Sequence, residues 1–214
     1  MIPVNILAVR YIANADPGLA RSLGAPEGYP SLGMLTTDCD DATYIALDEA
    51  TKAADVRVCY AKSFYAGAAN ASTPYAGEVI GVLAGPTPGA VRSGMDAALG
   101  ALKRLGFRDV GGVPCLAHTV ASVGSHLAQE AGVQEGAAVA YLIAPPLESM
   151  YALDAALKAA AVEPGVFFLP PTETNFAGAL LTGTESACKA ACGAFAEAVC
   201  EIASNPKGGY YGIG

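Results

Sequence analysis

The chain repeats itself, and an internal repeat limits the possible folds of a chain more strongly than its composition does. ALDEATKAADV at 46–56 aligns with ALDAALKAAAV at 152–162, with identical residues at 8 of 11 positions. Upstream, LARSLG at 19–24 aligns with LAQEAG at 127–132. The two pairs of segments keep the same order along the chain, so a chance match is a poor explanation.

A third match follows downstream, where Gly85 aligns with Gly183. The offset between the halves falls from 108 to 106 and then to 98 residues along the 214-residue chain. The first half therefore carries about eight extra residues, which we place in YAGAANASTPYAG (65–77). The repeat predicts two similar domains, at 1–108 and 109–214.

Each half predicts the same order of elements: a short helix, a strand, a helix, two strands and a final helix. The predicted strands lie at 31–38, 56–64, 78–84, 138–144, 165–169 and 177–182. Asp16 followed by Pro17 is typical of a helix start, and Thr87 caps the final helix of the first half. Asp41 is expected to cap the helix at 42–54. These patterns indicate an α/β (α+β) fold of two small domains, each a sheet with helices on it.

Charged residues make up only 15% of the chain and hydrophobic residues 53%. A chain so short of charge is expected to bury apolar surface against other subunits. It contains no apolar run of about 20 residues and no signal-peptide pattern, so we expect no membrane partner. The net charge of −8, with scattered lysines and arginines, argues against nucleic-acid binding.

Six cysteines are present without a C-x-x-C pair. Cys188 and Cys192 begin a stripe at helical spacing that continues through Phe195, Val199 and Ile202. Cysteine then acts as a small hydrophobe in the core of an amphipathic helix. A reducing, cytoplasmic location fits this usage better than a disulfide framework.

Helices ending in KAADV (52–56) and KAAAV (158–162) resemble the signature of bacterial microcompartment shell domains. Longer strings, including SLGMLTTDCDDATYIALDEATKAA, YLIAPPLESMYALDAALK and PPTETNFAGALLTGTESACKAAC, resemble the tandem-domain shell proteins of the ethanolamine-utilisation (EutL) family. The resemblance implies two circularly permuted shell domains, each a small, mostly antiparallel sheet flanked by helices. It also implies a homotrimer that mimics a hexamer, joins other shell proteins in the compartment wall and frames a gated pore for small molecules.

Asp38, Asp40 and Asp41 form an acidic cluster where a strand meets a helix. One reading is helix capping together with favourable negative charge at a helix N-terminus, for which a single aspartate suffices. The other reading is a site for a cation or an amine, since an ammonium group needs several acceptors around it. The family resemblance implies that Asp40 and Glu78, with Asp41 beside them and Phe107 as a neighbouring aromatic, bind ethanolamine in a small pore.

Two loops occupy equivalent places in the two halves, and each is either ordinary packing or the lining of the pore. The candidate pore residues are Tyr65, Ala66, Gly67, Ala68, Ala69, Asn70 and Tyr75 in the first loop, and Thr174, Asn175 and Phe176 in the second. The small residues of 65–77 predict easier opening than in 170–178, which contains two prolines. A cobalamin could rest on such an aromatic surface, but the sequence does not require one.

Lys52 and Lys158 precede Ala-Ala at matching helix ends, and we expect them at the edges of the tile. The alternative is that each lysine only complements its helix dipole.

His118 and His126 lack motif spacing and make a poor metal site. Zinc bound by Asp40, Asp41 and His118 is the basis of a second hypothesis, a metal-dependent small-molecule enzyme or ligand-binding trimer. No nucleotide-binding or hydrolase motif opens a helix. We therefore expect no catalytic residues and no required cofactor.

Overall fold

The computed structural model describes residues 1–64 and 78–207, and its contacts divide them into two units. The first unit comprises Pro3–Gly106 and Val123–Gln129; the second comprises Met1–Ile2, Phe107–Ser122 and the described chain from Glu130 onward. A short segment of the second half of the chain therefore belongs to the first unit.

The first unit contains a four-stranded antiparallel sheet in the order β1-β2-β4-β3. Its elements are β1 (Ile6–Ile12), α1 (Pro17–Ser22), β2 (Ser31–Thr37), α2 (Asp40–Ala53), β3 (Arg57–Phe64), β4 (Glu78–Gly85) and α3 (Pro88–Leu102). Helices α2 and α3 pack on the sheet face that carries Gly33 and Gly81. The α1 region packs on the opposite face, against Leu32 and Val82. The central strand β2 is almost wholly buried because it is covered on both faces.

The second unit contains a five-stranded antiparallel sheet in the order β5-β6-β7-β9-β8. Its elements are β5 (Arg108–Val110), β6 (Val113–Val120), β7 (Ala138–Ala144), α5 (Pro146–Ala159), β8 (Val162–Phe168), β9 (Ala177–Gly183) and α6 (Glu185–Ser204). The helix α4 (Ser125–Ala131) lies between β6 and β7 in the chain. Cys188, Cys192, Phe195 and Val199 lie in the core of this unit, as their spacing predicts.

The sequence repeat is also a structural repeat. The order β6-β7-β9-β8 reproduces β1-β2-β4-β3, with β5 added at one edge. Ser31 pairs with Gly85 as Ala138 pairs with Gly183, and both edge strands carry a bulge at the equivalent position, Cys59 and Gly165. The predicted fold class, an α/β protein with two sheets flanked by helices, is confirmed.

Most predicted helix starts are confirmed, and one is wrong. Asp16 accepts hydrogen bonds from the backbone of Gly18 and Leu19, and Thr87 caps α3. Helix α2 begins at Asp40 with Cys39 as its N-cap, so Asp41 lies inside the first turn and does not cap it. The six predicted strand ranges leave out β1, β5 and β6, because none of these three shows the alternation of a half-buried strand.

None of the described helices combines the length and the hydropathy needed to cross a membrane.

Candidate functional site

Three buried aspartates surround the start of α2, and Asp38 has a structural partner. The Asp38 carboxylate accepts hydrogen bonds from Asn5 N at 2.8 Å and from Asn5 Nδ2 at 2.6 Å. It therefore fixes the chain before β1 to the end of β2, and it is occupied within the first unit.

The capping interpretation describes the acidic cluster only in part: none of its aspartates is the N-cap, but Asp40 and Asp41 lie in the first turn of α2, where negative charge is favourable. The N-cap Cys39 makes no side-chain capping bond, and its backbone N–H donates to Thr37 Oγ1 at 3.1 Å. Asp40 Oδ1 accepts from the Asp41 backbone N–H at 2.9 Å, which occupies one oxygen of that carboxylate. The strand β2 ends at Thr37, and α2 begins at Asp40 instead of the predicted residue 42. Asp40 and Asp41 are therefore in the first turn of the helix.

Two hydroxyl groups form a hydrogen-bonded chain that ends at the second oxygen of Asp40. Ser63 Oγ, near the end of β3, donates to Asp40 Oδ2 at 2.7 Å. The Tyr44 hydroxyl, one turn after Asp40 in α2, lies 2.5 Å from Ser63 Oγ. Since Ser63 uses its proton on Asp40, Tyr44 is the donor in that second bond. Both hydroxyls therefore hold the Asp40 carboxylate in one orientation.

Burial dominates the electrostatics of this site. It raises the pKa of Asp40, and the hydrogen bond from Ser63 partly offsets the rise. Burial also raises the pKa of Tyr44, with the Asp40 and Asp41 charges acting in the same direction. A carboxylate in such surroundings gains from an approaching cation more than an exposed one does.

Glu78 begins β4, and its backbone pairs with that of Phe64 at the end of β3. Ser63 pairs with Val79 in the same ladder. The backbone of Glu78 is therefore next to the strand end that holds Asp40. Phe107 lies in the second unit, where its buried ring contacts Phe176 with centroids 5.5 Å apart.

The second candidate pore loop forms a compact turn. The Thr172 hydroxyl donates to the carbonyl of Phe176, and the Asn175 backbone N–H donates to the carbonyl of Thr172 at 3.3 Å. Thr174 is buried, and Asn175 is exposed in the left-handed region with φ of 61°. Tyr65, Ala66, Gly67, Ala68, Ala69, Asn70 and Tyr75 lie outside the described residues.

The two candidate edge lysines differ in their surroundings. Lys52 in the last turn of α2 contacts Glu49 and lies 3.8 Å from Asp48, with 28% of its side chain exposed. Lys158 in the last turn of α5 contacts Asp154 at 2.6 Å, with 74% exposed. Both lysines are therefore ion-paired within their own helix, and Lys158 is the more exposed of the two.

The two histidines belong to different units of the chain. His126 belongs to the first unit, where its ring faces Tyr44 with centroids 6.0 Å apart, and His118 belongs to β6 of the second unit. Within residues 1–64 and 78–207, no group of three or more His, Cys, Asp or Glu side chains is arranged to hold a metal ion.

Ser63 and Tyr44 are not among the site residues predicted from the sequence. The period of two in β3 points Ser63 inward with Ala61, while Lys62 and Phe64 are exposed, so a polar residue on the inner side was a usable signal. Tyr44 follows Asp40 by one helical turn, which is a second usable signal.

Comparison with known proteins identifies the family. A model of the BMC domain matches residues 31–113. The bacterial microcompartment shell protein EutL of Clostridium perfringens (strain 13 / Type A) is 59% identical over 212 residues, which cover 97% of this chain and 98% of the relative. The chain belongs to the EutL family of bacterial microcompartment shell proteins. The EutL protein of Escherichia coli (strain K12) is 48% identical over 210 residues, covering 96% of each chain.

Solved structures agree with this assignment to the EutL family. The crystal structure of EutL from Clostridium perfringens superposes with a TM-score of 0.92 at 58% identity, covering 98% of this chain and 97% of that one. The ethanolamine utilization protein EutL of Leptotrichia buccalis C-1013-b gives 0.91 at 55% identity, covering 96% and 97%. The chain is thus a structural shell protein of a microcompartment, and the enzyme hypothesis built on Asp40, Asp41 and His118 is wrong.

Proposed function

We propose that the chain forms a homotrimeric tile of the microcompartment shell and that a gated pore in this tile passes small metabolites. The observation that supports the trimer is the structural repeat, since each chain supplies two sheets of the same strand order. Three chains then supply six similar domains to one ring. A head-to-tail interface is satisfied throughout only when the ring closes.

Light scattering tests the trimer directly. The expected particle has about three times the 21.5 kDa chain mass. Electron microscopy of the overexpressed protein should show flat sheets or tubes, because tiles of one kind pack side by side. A clean monomer at micromolar concentration, or trimers that never assemble beyond themselves, would contradict the shell tile.

We propose that Asp40 and Glu78 bind the ammonium group of ethanolamine or a similar small amine. An ammonium has three donors, and a carboxylate held by Ser63 on one side keeps lone pairs for it. The Glu78 backbone lies on the neighbouring strand, directly after the candidate gate loop 65–77. A ligand bound at Glu78 would also act on the end of that loop, and we expect binding to favour the closed pore.

The size of the ligand limits its affinity. Ethanolamine has four heavy atoms, and a ceiling near 1.5 kcal/mol per atom gives roughly 6 kcal/mol at best. The affinity is then no tighter than tens of micromolar. A metabolite present at millimolar concentration still fills such a site.

Calorimetry with ethanolamine tests the amine site. Asp40→Asn and Glu78→Gln should each weaken binding about tenfold or more, because each removes a charge-assisted hydrogen bond. Asp154→Asn, an exposed aspartate of the second unit, is the matched control and should bind like the parent. Equal binding by all four proteins would contradict the assignment of the site.

The exposed Asn175 and the half-buried Phe176 are proposed as part of the pore rim, together with the loop at 65–77. Neither zinc nor cobalamin is needed for this function. Lys52 and Lys158 are proposed to act where one tile meets the next.

A further inference from the structure

The hydroxyl chain that ends at Asp40 has no equivalent in the second unit. It consists of the Tyr44 and Ser63 hydroxyls and the Asp40 carboxylate. At the offset of 106 residues, the positions equivalent to Asp40, Tyr44 and Ser63 are held by Pro146, Met150 and Leu169. One unit therefore has three polar side chains where the other has three apolar ones.

The fold does not require this hydroxyl chain. The second unit forms α5 and β8 with the same strand order as the first unit, and its edge strand has a bulge at the equivalent position. Burying a carboxylate costs free energy unless it is paired, and Asp40 is only 5% exposed. Because one repeat folds without the buried polar chain, the chain in the other repeat indicates a role beyond folding.

Burial fixes the order of the donors in the hydroxyl chain. It raises the pKa of Tyr44, so the phenol keeps its proton and remains a donor. The Tyr44 hydroxyl lies 2.5 Å from Ser63 Oγ, and Ser63 Oγ donates to Asp40 Oδ2 at 2.7 Å. The ring of Tyr44 packs against the ring of His126, with centroids 6.0 Å apart. Tyr44 therefore orients Asp40 through Ser63.

Few acceptor positions of Asp40 remain for a ligand. A carboxylate has about four, and the Asp41 N–H takes one on Oδ1 while Ser63 takes one on Oδ2. A ligand that reaches this buried group displaces water, so it has to supply N–H donors in return. A primary ammonium has three donors, whereas each N-methyl group removes one donor and adds bulk.

We propose that Tyr44, acting through Ser63, is a positioning residue that makes the Asp40 site selective for primary ammonium groups over N-methylated ones. The inference rests on the proposed amine site and adds which amines that site accepts. A buried acceptor that is fixed in one orientation does not turn to meet a ligand with fewer donors. A site built to hydrogen-bond an N–H group rejects ligands that lack it, because its buried polar groups are then left unpaired.

Calorimetry of the full chain with ethanolamine, N-methylethanolamine and choline measures this selectivity. A secondary ammonium gives up one charge-assisted hydrogen bond, so the parent should bind N-methylethanolamine about tenfold more weakly than ethanolamine. Choline has no N–H group and should not bind measurably at millimolar concentration.

The variant Tyr44→Phe tests the positioning role. It keeps the ring against His126 but removes the donor to Ser63, so the Asp40 carboxylate is free to turn. Ethanolamine should bind about fivefold more weakly, N-methylethanolamine should bind as it does to the parent, and the selectivity should fall by the same factor. Tyr29→Phe is the matched control, since the Tyr29 hydroxyl also bonds an aspartate, Asp55, at 2.7 Å in the first unit. This control should keep the selectivity of the parent.

A conservative pair of variants at Ser63 gives a second measurement. Ser63→Thr keeps a hydroxyl between Tyr44 and Asp40 and should keep the selectivity of the parent. Ser63→Ala interrupts the chain and should lose selectivity as Tyr44→Phe does. Thermal melts show that each variant is folded, so a variant that fails to fold is replaced by the other.

The results separate this inference from the proposed amine site. If the parent binds ethanolamine and N-methylethanolamine equally, the site has no such selectivity and the inference is wrong. If Tyr44→Phe and Ser63→Ala weaken both ligands by the same factor, the hydroxyl chain is merely structural and the inference is also wrong. The amine site stands in both cases. A parent that binds none of the three amines at millimolar concentration refutes the amine site and the inference together.

Discussion

Two aspartates of α2 show how the same residue type is used in different ways within one helix. Asp48 is fully buried and accepts from two backbone N–H groups of the Val123–Gln129 segment. Asp40 is almost as buried, but its partners are one hydroxyl and one N–H of its own helix turn. Burial raises the pKa of both carboxyl groups. Asp48 therefore serves the fold, and Asp40 is the carboxylate that we propose for ligand binding.

The first prediction concerns the pH dependence of stability at Asp40. Because its folded-state pKa is raised, the folded chain binds this proton more tightly than the unfolded chain does. The resulting stabilisation is complete below the unfolded-state pKa and is lost as pH rises through the folded-state pKa. Asp40→Asn lacks this proton, so its stability relative to the parent should rise as the pH is raised from about 4, the unfolded-state value, through the higher folded-state pKa of Asp40. Thermal melts across that range measure the difference, and a difference independent of pH would contradict it.

The second prediction concerns Ser63. Ser63→Ala removes the hydrogen bond to Asp40 Oδ2, which is worth about 1.5–3 kcal/mol for a charged acceptor. The pKa of Asp40 should rise further, so ethanolamine should bind more weakly, by up to about tenfold, with a loss that shrinks as the pH is raised. Calorimetry at several pH values measures this, with the exposed Ser22→Ala as control. A uniform loss at every pH would indicate a merely structural role for Ser63.

At the scale of elements, the two halves use equivalent helices differently. Asp48 of α2 accepts hydrogen bonds from the start of α4, whereas its equivalent on α5, Asp154, is exposed. The strand patterns and most caps could be read from local sequence, including Asp16 and Thr87. The role of Asp48 could not be read from local sequence, because its two hydrogen-bond donors lie 76 and 79 residues further along the chain.

The third prediction compares Asp48 with its repeat equivalent Asp154. Asp48→Ala leaves two buried N–H groups at the start of α4 without an acceptor and should cost about 2–4 kcal/mol of unfolding free energy. Asp154→Ala breaks only an exposed ion pair with Lys158 and should cost less than about 1 kcal/mol. Urea unfolding of both variants gives the comparison. Similar losses of unfolding free energy in the two variants would mean that the contact between α2 and the Val123–Gln129 segment does not depend on Asp48.

At the scale of the whole molecule, the apolar composition and the repeat point to assembly. The exposed side chains of Tyr151 and Leu19 lie at places equivalent to those of the buried Ile45 and Leu127. Lys158 is the more exposed of the two repeat-related lysines, and its ion pair with Asp154 lies at the surface.

The fourth prediction separates the two lysines. Lys158→Asp should abolish sheets in electron microscopy while the trimer and its melting temperature stay nearly unchanged. Lys52→Asp places a carboxylate beside Glu49 and buried Asp48, so it should also lower the stability of the chain, by about 1–2 kcal/mol. Light scattering and thermal melts distinguish the outcomes. Equal loss of stability and of assembly in both variants would favour a helix-dipole role alone.

The sequence by itself determined the repeat, the fold class, the family and the position of the acidic cluster, because these depend on local patterns and on strings of residues. Only the tertiary structure decided what each aspartate does: Asp38 pairs with Asn5, Asp40 with Ser63, and Asp48 with the start of α4. It also decided which of two equivalent helix faces is covered. Hydrogen bonds and burial between segments far apart in the chain leave no local pattern. The repeat-related Asp48 and Asp154 are therefore alike in sequence, but one is buried and the other exposed.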